Sequence, residues 1–276
     1  MNFTLNDWAK SVLADPIKKT PKDYEEFVKT NGIVDARVTL KNSIGFSDWN
    51  SGQSAFEDIE VSKYFVKKRA YNFQVEIQND KVIYDQIPFA EPILDIGGSC
   101  GLLREFLNKD DKYLVIDPFI DVFEKISVQR KSAYKCLLSP LNFIAGHAEF
   151  LPLQSQTFKT VHMRSMLDHV HIVDLCLLEA KRVLRSDGNL IIGITIEGKP
   201  YGVTGRELNL KYITKKIAKQ SFSLIGFSRF RDKHVWHPTY DNLIKVVEDA
   251  GFKITKTLWQ PCWKGRVVYI LAKPRY

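Results

Sequence analysis

The sequence lacks most of the features that would assign it at a glance. Cysteine is scarce: Cys100, Cys136, Cys176 and Cys262 are the only four in 276 residues. They are scattered with no CxxC spacing, which argues against a disulfide framework and a cysteine zinc site and suits a reducing cytoplasm. No metal is expected. The longest apolar runs are strand-length, far short of the roughly 20 residues of a membrane span. The opening residues Met1-Asn2-Phe3-Thr4-Leu5-Asn6-Asp7-Trp8 have no basic or apolar leader pattern, so no signal peptide is expected. Internal repeats and low-complexity segments are missing.

What is present fits a full-sized globular core. Apolar residues make up 45% and charged residues 26%, which excludes wholesale disorder. The net charge of +8 is concentrated. Between Lys199 and Lys233 nine basic residues face two acidic ones, supplying seven of the eight charges. Such a stretch reads either as a solvated helix face or as a surface for an anionic, phosphate-bearing acceptor.

The organisation falls into two parts. Residues 1–90 form a small irregular extension. In it Thr4 is placed to cap a short helix carrying Leu5, Trp8, Val12 and Leu13. Phe27-Val28 and Ile33-Val34 flank an Asn31-Gly32 hairpin turn, and 61–71 reads as a helix. Residues 91–276 alternate strand and helix. Pro92 to Ile96, Tyr113 to Ile116, Phe143 to Ala145 and Thr160 to Met163 are short apolar runs with no polar face, the mark of buried parallel strands. A helix is expected to start at Leu102. Another, from Val173 to Leu184, is expected to bury Leu175, Leu178, Ala180 and Val183, and to end in a turn at Ser186-Asp187-Gly188. Asn189 to Thr195 is a fifth strand, followed by the basic insertion at 196–237. Pro238 then reads as the first-turn proline of a helix ending at Gly251, before two closing strands. Alternation of this kind predicts an α/β, Rossmann-like doubly wound sheet.

Ligands bind such sheets at the carboxyl ends of the strands. There the first strand runs into Leu94-Asp95-Ile96-Gly97-Gly98-Ser99-Cys100-Gly101. Its spacing is not the dinucleotide G-x-G-x-x-G, because Leu102 fills the third glycine's place. That disfavours a nicotinamide-dependent oxidoreductase. Asp117 ends the second strand 22 residues after Asp95, where a carboxylate can accept both ribose hydroxyls of an adenosine.

Asp95-x-Gly97-x-Ser99-x-Gly101 resembles the glycine motif of class I S-adenosylmethionine (SAM)-dependent methyltransferases, with Ser99 in place of the middle glycine. Gly146-His147-Ala148-Glu149-Phe150-Leu151-Pro152-Leu153 resembles the family's G-D-A-E-x-L-P-F segment, with His147 where Asp is usual. Phe158 to Val170 and Glu179 to Leu190 resemble two further segments in the family's order. The resemblance covers 92–195 well and 238–273 in outline. It implies a seven-stranded, mostly parallel sheet with an antiparallel last strand. It implies SAM as cofactor and S-adenosylhomocysteine as product. It places Asp95, Gly97, Gly98, Ser99 and Gly101 beside the methionine part and Asp117 at the ribose. Pro118, Phe119, His147, Ala148 and Glu149 would lie around the adenine, and Met163 and Arg164 near the methionine amine and carboxylate. Arg69 is a further candidate for that carboxylate. Leu13 to Pro21 with Asn31 to Arg37 is similar to a small zinc-ribbon-like module fused to some methyltransferases, but its cysteines are absent, so no metal is held there.

Methyl transfer from a sulfonium needs alignment and exclusion of water, and for a hydroxyl acceptor a general base. His237 and His234, leading out of the insertion, and Asp168 and His171, on the loop after the fourth strand, are the candidate catalytic or acceptor-binding residues. His162 reads as core and His169 as capping or packing. The expected activity is methyl transfer to an oxygen of a small-molecule or carbohydrate-type acceptor. An RNA methyltransferase and a non-catalytic SAM-binding module are the alternatives.

Overall fold

Parity along the strands decides how this chain folds. A computed structural model of it describes residues 3–14, 28–30, 33–37, 45–53, 73–108, 110, 112–119, 128–198, 201, 234–261 and 266–276. The expected helix over 61–71, Arg69 and nearly all of the basic insertion lie outside the described residues. The strands are β1 (Phe3–Thr4), β2 (Val28–Thr30), β3 (Ile33–Asp35), β4 (Ile93–Ile96), β5 (Tyr113–Asp117), β6 (Leu141–Ala145), β7 (Phe158–Arg164), β8 (Leu184–Thr195), β9 (Phe252–Gln260) and β10 (Val267–Pro274).

β4, β5 and β6 are buried along their whole length. Successive side chains point to opposite faces, so each strand feeds two cores. Leu94 and Ile96, Leu114 and Ile116, and Val161 and Met163 enter one core. Ile93, Tyr113 with Val115, and Ile191 enter the other. Each fully buried Leu or Ile contributes about 2 kcal/mol by leaving water.

The strand order is β2-β3-β6-β5-β4-β7-β8-β10-β9. Pairing is parallel from β6 through β8, and β10 runs antiparallel to both β8 and β9. The predicted doubly wound sheet with an antiparallel last strand is therefore present. Its size is larger than the seven strands expected. β3 pairs in parallel with Ile144 and Ala145 of β6, and β1 with Leu141 and Asn142. The N-terminal segments thus cover the edge that β6 would otherwise leave open. β2 and β3 pair antiparallel, Thr30 with Ile33, as the predicted hairpin requires.

Several local expectations need correction. Thr4 lies in β1, and the helix Asp7–Ser11 is capped by Asn6, whose side chain accepts from the Ala9 N–H at 2.8 Å. Leu102–Phe106 is a 3-10 helix rather than the start of an α-helix. Arg104 ties it down, donating to the carbonyls of Pro140 and Cys136 at 2.8 and 2.7 Å. The helix Val173–Val183 buries Cys176, Leu177, Ala180 and Val183, while Leu178 is exposed. The 176/180/183 spacing is the stripe that faces the sheet. Residues 186–188 lie within β8, where the register with β7 shifts, rather than in a turn before it. Pro238 precedes the cap of its helix. Thr239 caps Tyr240–Asp249 by accepting from Asn242 N–H at 3.2 Å. No helix among the described residues is long and apolar enough to cross a membrane.

Candidate functional site

The strand order reverses at β4: β5 and β6 lie on one side, β7 and β8 on the other. That switch point is where an open α/β sheet leaves a crevice. A cavity of 410 Å³ sits there, within the range of small-molecule sites.

The glycine loop forms its floor. Gly97 has φ +68° and Ser99 has φ +54°, both left-handed. A Cβ on Gly97 would stand 2.6 Å from the Met166 Cβ, so only glycine fits there. Asp117 closes one side. Its carboxylate is buried and accepts from the backbone N–H of Ser99 (3.1 Å) and Phe119 (3.0 Å). Burial raises its pKa to about 6, against the opposing pull of those two bonds.

Arg164 ends β7 and lines the opposite side. Its guanidinium donates to Asp80 Oδ1 at 2.7 Å, and Gln260 donates to the same oxygen at 2.9 Å. Asp80 comes from the helix Phe73–Tyr84, so the N-terminal region orients this cation. Burial pushes the Asp80 carboxyl up, with Arg164 pulling it down.

Of the thirteen residues expected at the cofactor, Gly97, Ser99, Asp117, Pro118, Phe119, His147, Ala148, Glu149 and Arg164 line the cavity. Asp95, Gly98, Gly101 and Met163 do not. Met163 is in the core. Asp95 turns to the other face of the sheet, where it accepts from the Tyr113 hydroxyl and pairs with His162 Nδ1 at 2.7 Å. Tyr84 OH lies 3.2 Å from His162 Nε2, completing a buried polar chain beneath the loop. His162 is thus core, as read. The Glu149 carboxylate accepts from the backbone N–H groups of His171 and Ile172 at 2.8 and 3.0 Å. It caps the Val173–Val183 helix, which its own Ile172 cannot do. Burial raises its pKa.

The Glu179-to-Leu190 segment has a structural reason. Glu179 accepts from Leu151 N–H at 2.8 Å, and Arg182 donates to the carbonyls of Leu151 and Leu153 at 2.9 and 2.7 Å. These two residues hold the 151–153 end of the 147–153 loop against the helix Val173–Val183.

Sequence reasoning missed the roof. Residues 46–53 are helical, and Trp49 and Gln53 line the cavity. Trp49 Nε1 donates to His169 O at 2.8 Å, and Gln53 Oε1 lies 2.9 Å from His169 Nδ1. His171 packs against Trp49 and Phe46, with ring centroids 5.7 and 6.3 Å away. His147 meets the same two rings at 5.6 and 5.3 Å.

The other candidates gather beside His169. Val235 N–H donates to Asp168 O at 2.7 Å, joining the loop after β7 to the segment leaving the insertion. The ring centroids of His169 and His234 are 4.6 Å apart, and those of His234 and His237 5.6 Å. His237 Nδ1 is 3.5 Å from Glu197. Glu197 N–H donates to Pro238 O at 2.8 Å, so the two ends of the insertion are clamped together.

A strand-end carboxylate for ribose hydroxyls, a half-buried cation for a carboxylate and apolar walls between them fit S-adenosylmethionine. Fold and pocket together define a class I SAM-dependent methyltransferase. Residues 94–192 match the family model described as a methyltransferase domain. It is similar to the ubiquinone/menaquinone biosynthesis C-methyltransferase UbiE of Agrobacterium fabrum, 24% identical over 177 residues, 58% of this chain and 68% of that protein. Among solved structures, a Pyrococcus horikoshii protein superposes with a TM-score of 0.51 at 17% identity, over 78% of this chain and 99% of its own. The cyclase SpnF does so with 0.50 at 14% identity, over 82% and 96%. At these identities the structural likeness shows the fold.

Proposed function

We propose that this methyltransferase acts on an oxygen of a small, oxygen-rich acceptor, with SAM in the 410 Å³ cavity and the acceptor beside the histidines at its rim. One observation carries the reading: the cavity that holds Asp117 and Arg164 also reaches His169, which adjoins His234 and, through it, His237. When bound, SAM supplies an electrophilic methyl group on a sulfonium. The chain's residues do the rest. Asp117 holds the ribose, Arg164 holds the methionine carboxylate, and Pro118, Phe119, His147 and Ala148 surround the adenine. His237, beside Glu197, is the candidate base for the acceptor's proton. Asp168 and His234 face the acceptor, and His171 belongs to the roof.

Trp49 and Gln53 support a capping role for residues 1–90, because both sit over the cavity. The seven net positive charges of 199–233 favour an anionic, phosphate-bearing acceptor. The free thiols Cys100, Cys136 and Cys176 favour the cytoplasm. A carbon acceptor is the second reading, favoured by the likeness to the UbiE C-methyltransferase.

Calorimetric titration with SAM, on the full chain and on Asp117→Ala, tests the cofactor map. Saturable binding that the substitution weakens is expected; equal binding by both proteins overturns the map. Transfer of label from methyl-labelled SAM to a panel of phosphorylated sugars, nucleotide sugars and hydroquinones then separates oxygen from carbon acceptors.

A further inference from the structure

Three side chains at the rim are spaced for something they do not contain. His234 Nε2 lies 3.6 Å and His169 Nε2 3.9 Å from Asp168 Oδ2. Both separations exceed a hydrogen bond. A His–Asp base pair would put one imidazole nitrogen against the carboxylate, whereas here two imidazoles stand off from it. Ligand atoms bound to one ion at about 2.1 Å in a tetrahedral arrangement lie about 3.4 Å apart. All three donor atoms here lie within 4.8 Å of one another.

We propose that Asp168, His169 and His234 bind a divalent first-row transition-metal ion, of the zinc or manganese class, at the acceptor end of the pocket. Two imidazoles and a carboxylate are a donor set for such ions, while magnesium and calcium prefer oxygen alone. Asp168 supplies a second, independent observation. Its Oδ1 is buried with no hydrogen-bond partner. The carboxylate is therefore buried with one oxygen unsatisfied and the other, Oδ2, facing the two imidazoles, and a cation bound to it offsets the cost of that buried charge.

The supporting shell is also in place. With Gln53 Oε1 accepting from Nδ1–H of His169, the lone pair of that ring sits on Nε2, the atom facing Asp168. Trp49 fixes the backbone of His169, and the Val235 N–H bond to Asp168 O keeps His234 in register with the loop. Burial is graded across the three, from Asp168 inside to His234 outside, which leaves a path for the ion. Three protein ligands leave coordination positions open. Because His169 lines the cavity, those positions suit an acceptor hydroxyl, carbonyl or phosphate oxygen. What the ion does rests on the function proposed above; whether it binds does not.

The test is direct binding by the full-length, tag-free, metal-stripped protein. Titration with zinc and separately with manganese should show one ion per chain with micromolar or tighter affinity, and magnesium should show none. Asp168→Asn and His234→Gln should each weaken binding about tenfold or more, and Gln53→Leu, through His169, by about tenfold. SAM titrations on Asp168→Asn and His234→Gln should match the parent, which establishes that these variants fold. Absence of one-to-one binding, or unchanged affinity in the folded variants, overturns the site. Loss of SAM binding by the parent protein would instead overturn the methyltransferase reading and leave the metal result standing.

Discussion

The two ends of the pocket are built by different means. The proposed cofactor end is built on strand termini from one stretch of chain, with Gly97, Ser99, Asp117, Ala148 and Arg164 all delivered by the carboxyl ends of β4 to β7. The proposed acceptor end is side chains from three distant places: Trp49 and Gln53, Asp168 and His169, and His234 with His237. A backbone site tolerates change outside a few positions and fails completely at those. A side-chain site changes by degrees, and it can be altered without touching the cofactor. Substitutions at four positions measure how far that contrast holds.

The largest effect is expected from Gly97→Ala. Its φ of +68° already disfavours a side chain, and the new Cβ would meet Met166 Cβ at 2.6 Å. Strain and overpacking together should cost about 3 kcal/mol of stability and displace the loop. Calorimetry should detect no SAM binding, and thermal melting should show the loss. Binding within a few-fold of the parent would mean that the loop is not a rigid floor.

Asp117→Asn comes next, and it should move stability and binding in opposite directions. The folded-state pKa of about 6 lies above the unfolded value of 3.8. The folded protein therefore holds the extra proton between these values, and stability falls as pH rises from about 4 to about 6. Asparagine removes that penalty, worth up to about 3 kcal/mol above pH 6. The variant should melt higher than the parent at pH 7 and lose the slope at acid pH. Its SAM affinity should fall about tenfold or more, because a charged acceptor for the ribose hydroxyls is gone. In the parent, affinity should weaken as pH drops through about 6, for the same reason. A variant with lower melting temperature and unchanged SAM affinity would place the ribose elsewhere.

The contrast also explains what could be read in the sequence. The strand ends that line the cavity were legible because each wall is a short contiguous motif, and the parallel strands follow from alternation. Asp95 was misplaced although the signal was there. It alternates with Leu94 and Ile96, so it must face the side opposite the core they enter, towards Tyr113 and His162. The roof was not legible. Gly45-Phe46-Ser47-Asp48-Trp49-Asn50-Ser51-Gly52-Gln53 has too many glycines and short polar residues for a helical stripe. What stabilises it is contact with 147, 169 and 171, which no local pattern encodes. β1 escaped for a related reason: two residues carry no period, and only the open edge of β6 makes them a strand. β3 is legible as half of a hairpin, but its pairing with β6 is not. The rim cluster joins residues 168 and 169 to 234 across the whole insertion. Cysteine spacing carries no signal of such a cluster, because it holds no cysteine.

Gln53→Leu examines the acceptor end with a smaller expected change. The side chain holds His169 through one bond of 2.9 Å. Losing a single such bond is worth about 1 kcal/mol, or about fivefold. Initial-rate measurements should show that change in acceptor KM, while SAM affinity stays within about twofold, since the bond orients a rim histidine rather than the cofactor cradle. A drop in SAM affinity as large as the change in KM would mean that the two ends share one scaffold, and the contrast would fail.

The smallest effect is expected at Ser99, where this chain departs from the family's glycine. Ser99 adopts φ +54°, the conformation that glycine takes without strain. A side chain there costs about 1 kcal/mol in the folded state. Glycine removes that strain but gives back part of the gain through the greater freedom of the unfolded chain. Ser99→Gly should therefore raise stability by less than about 1 kcal/mol, and Ser99→Ala, which keeps the strain, should not. SAM affinity should hold in both, because residue 99 meets Asp117 through its backbone N–H at 3.1 Å and not through its hydroxyl. Thermal melts and SAM titrations of the pair decide it. If both variants lose SAM affinity together, the hydroxyl contributes to the site, and the cofactor end depends on side chains in the same way as the acceptor end.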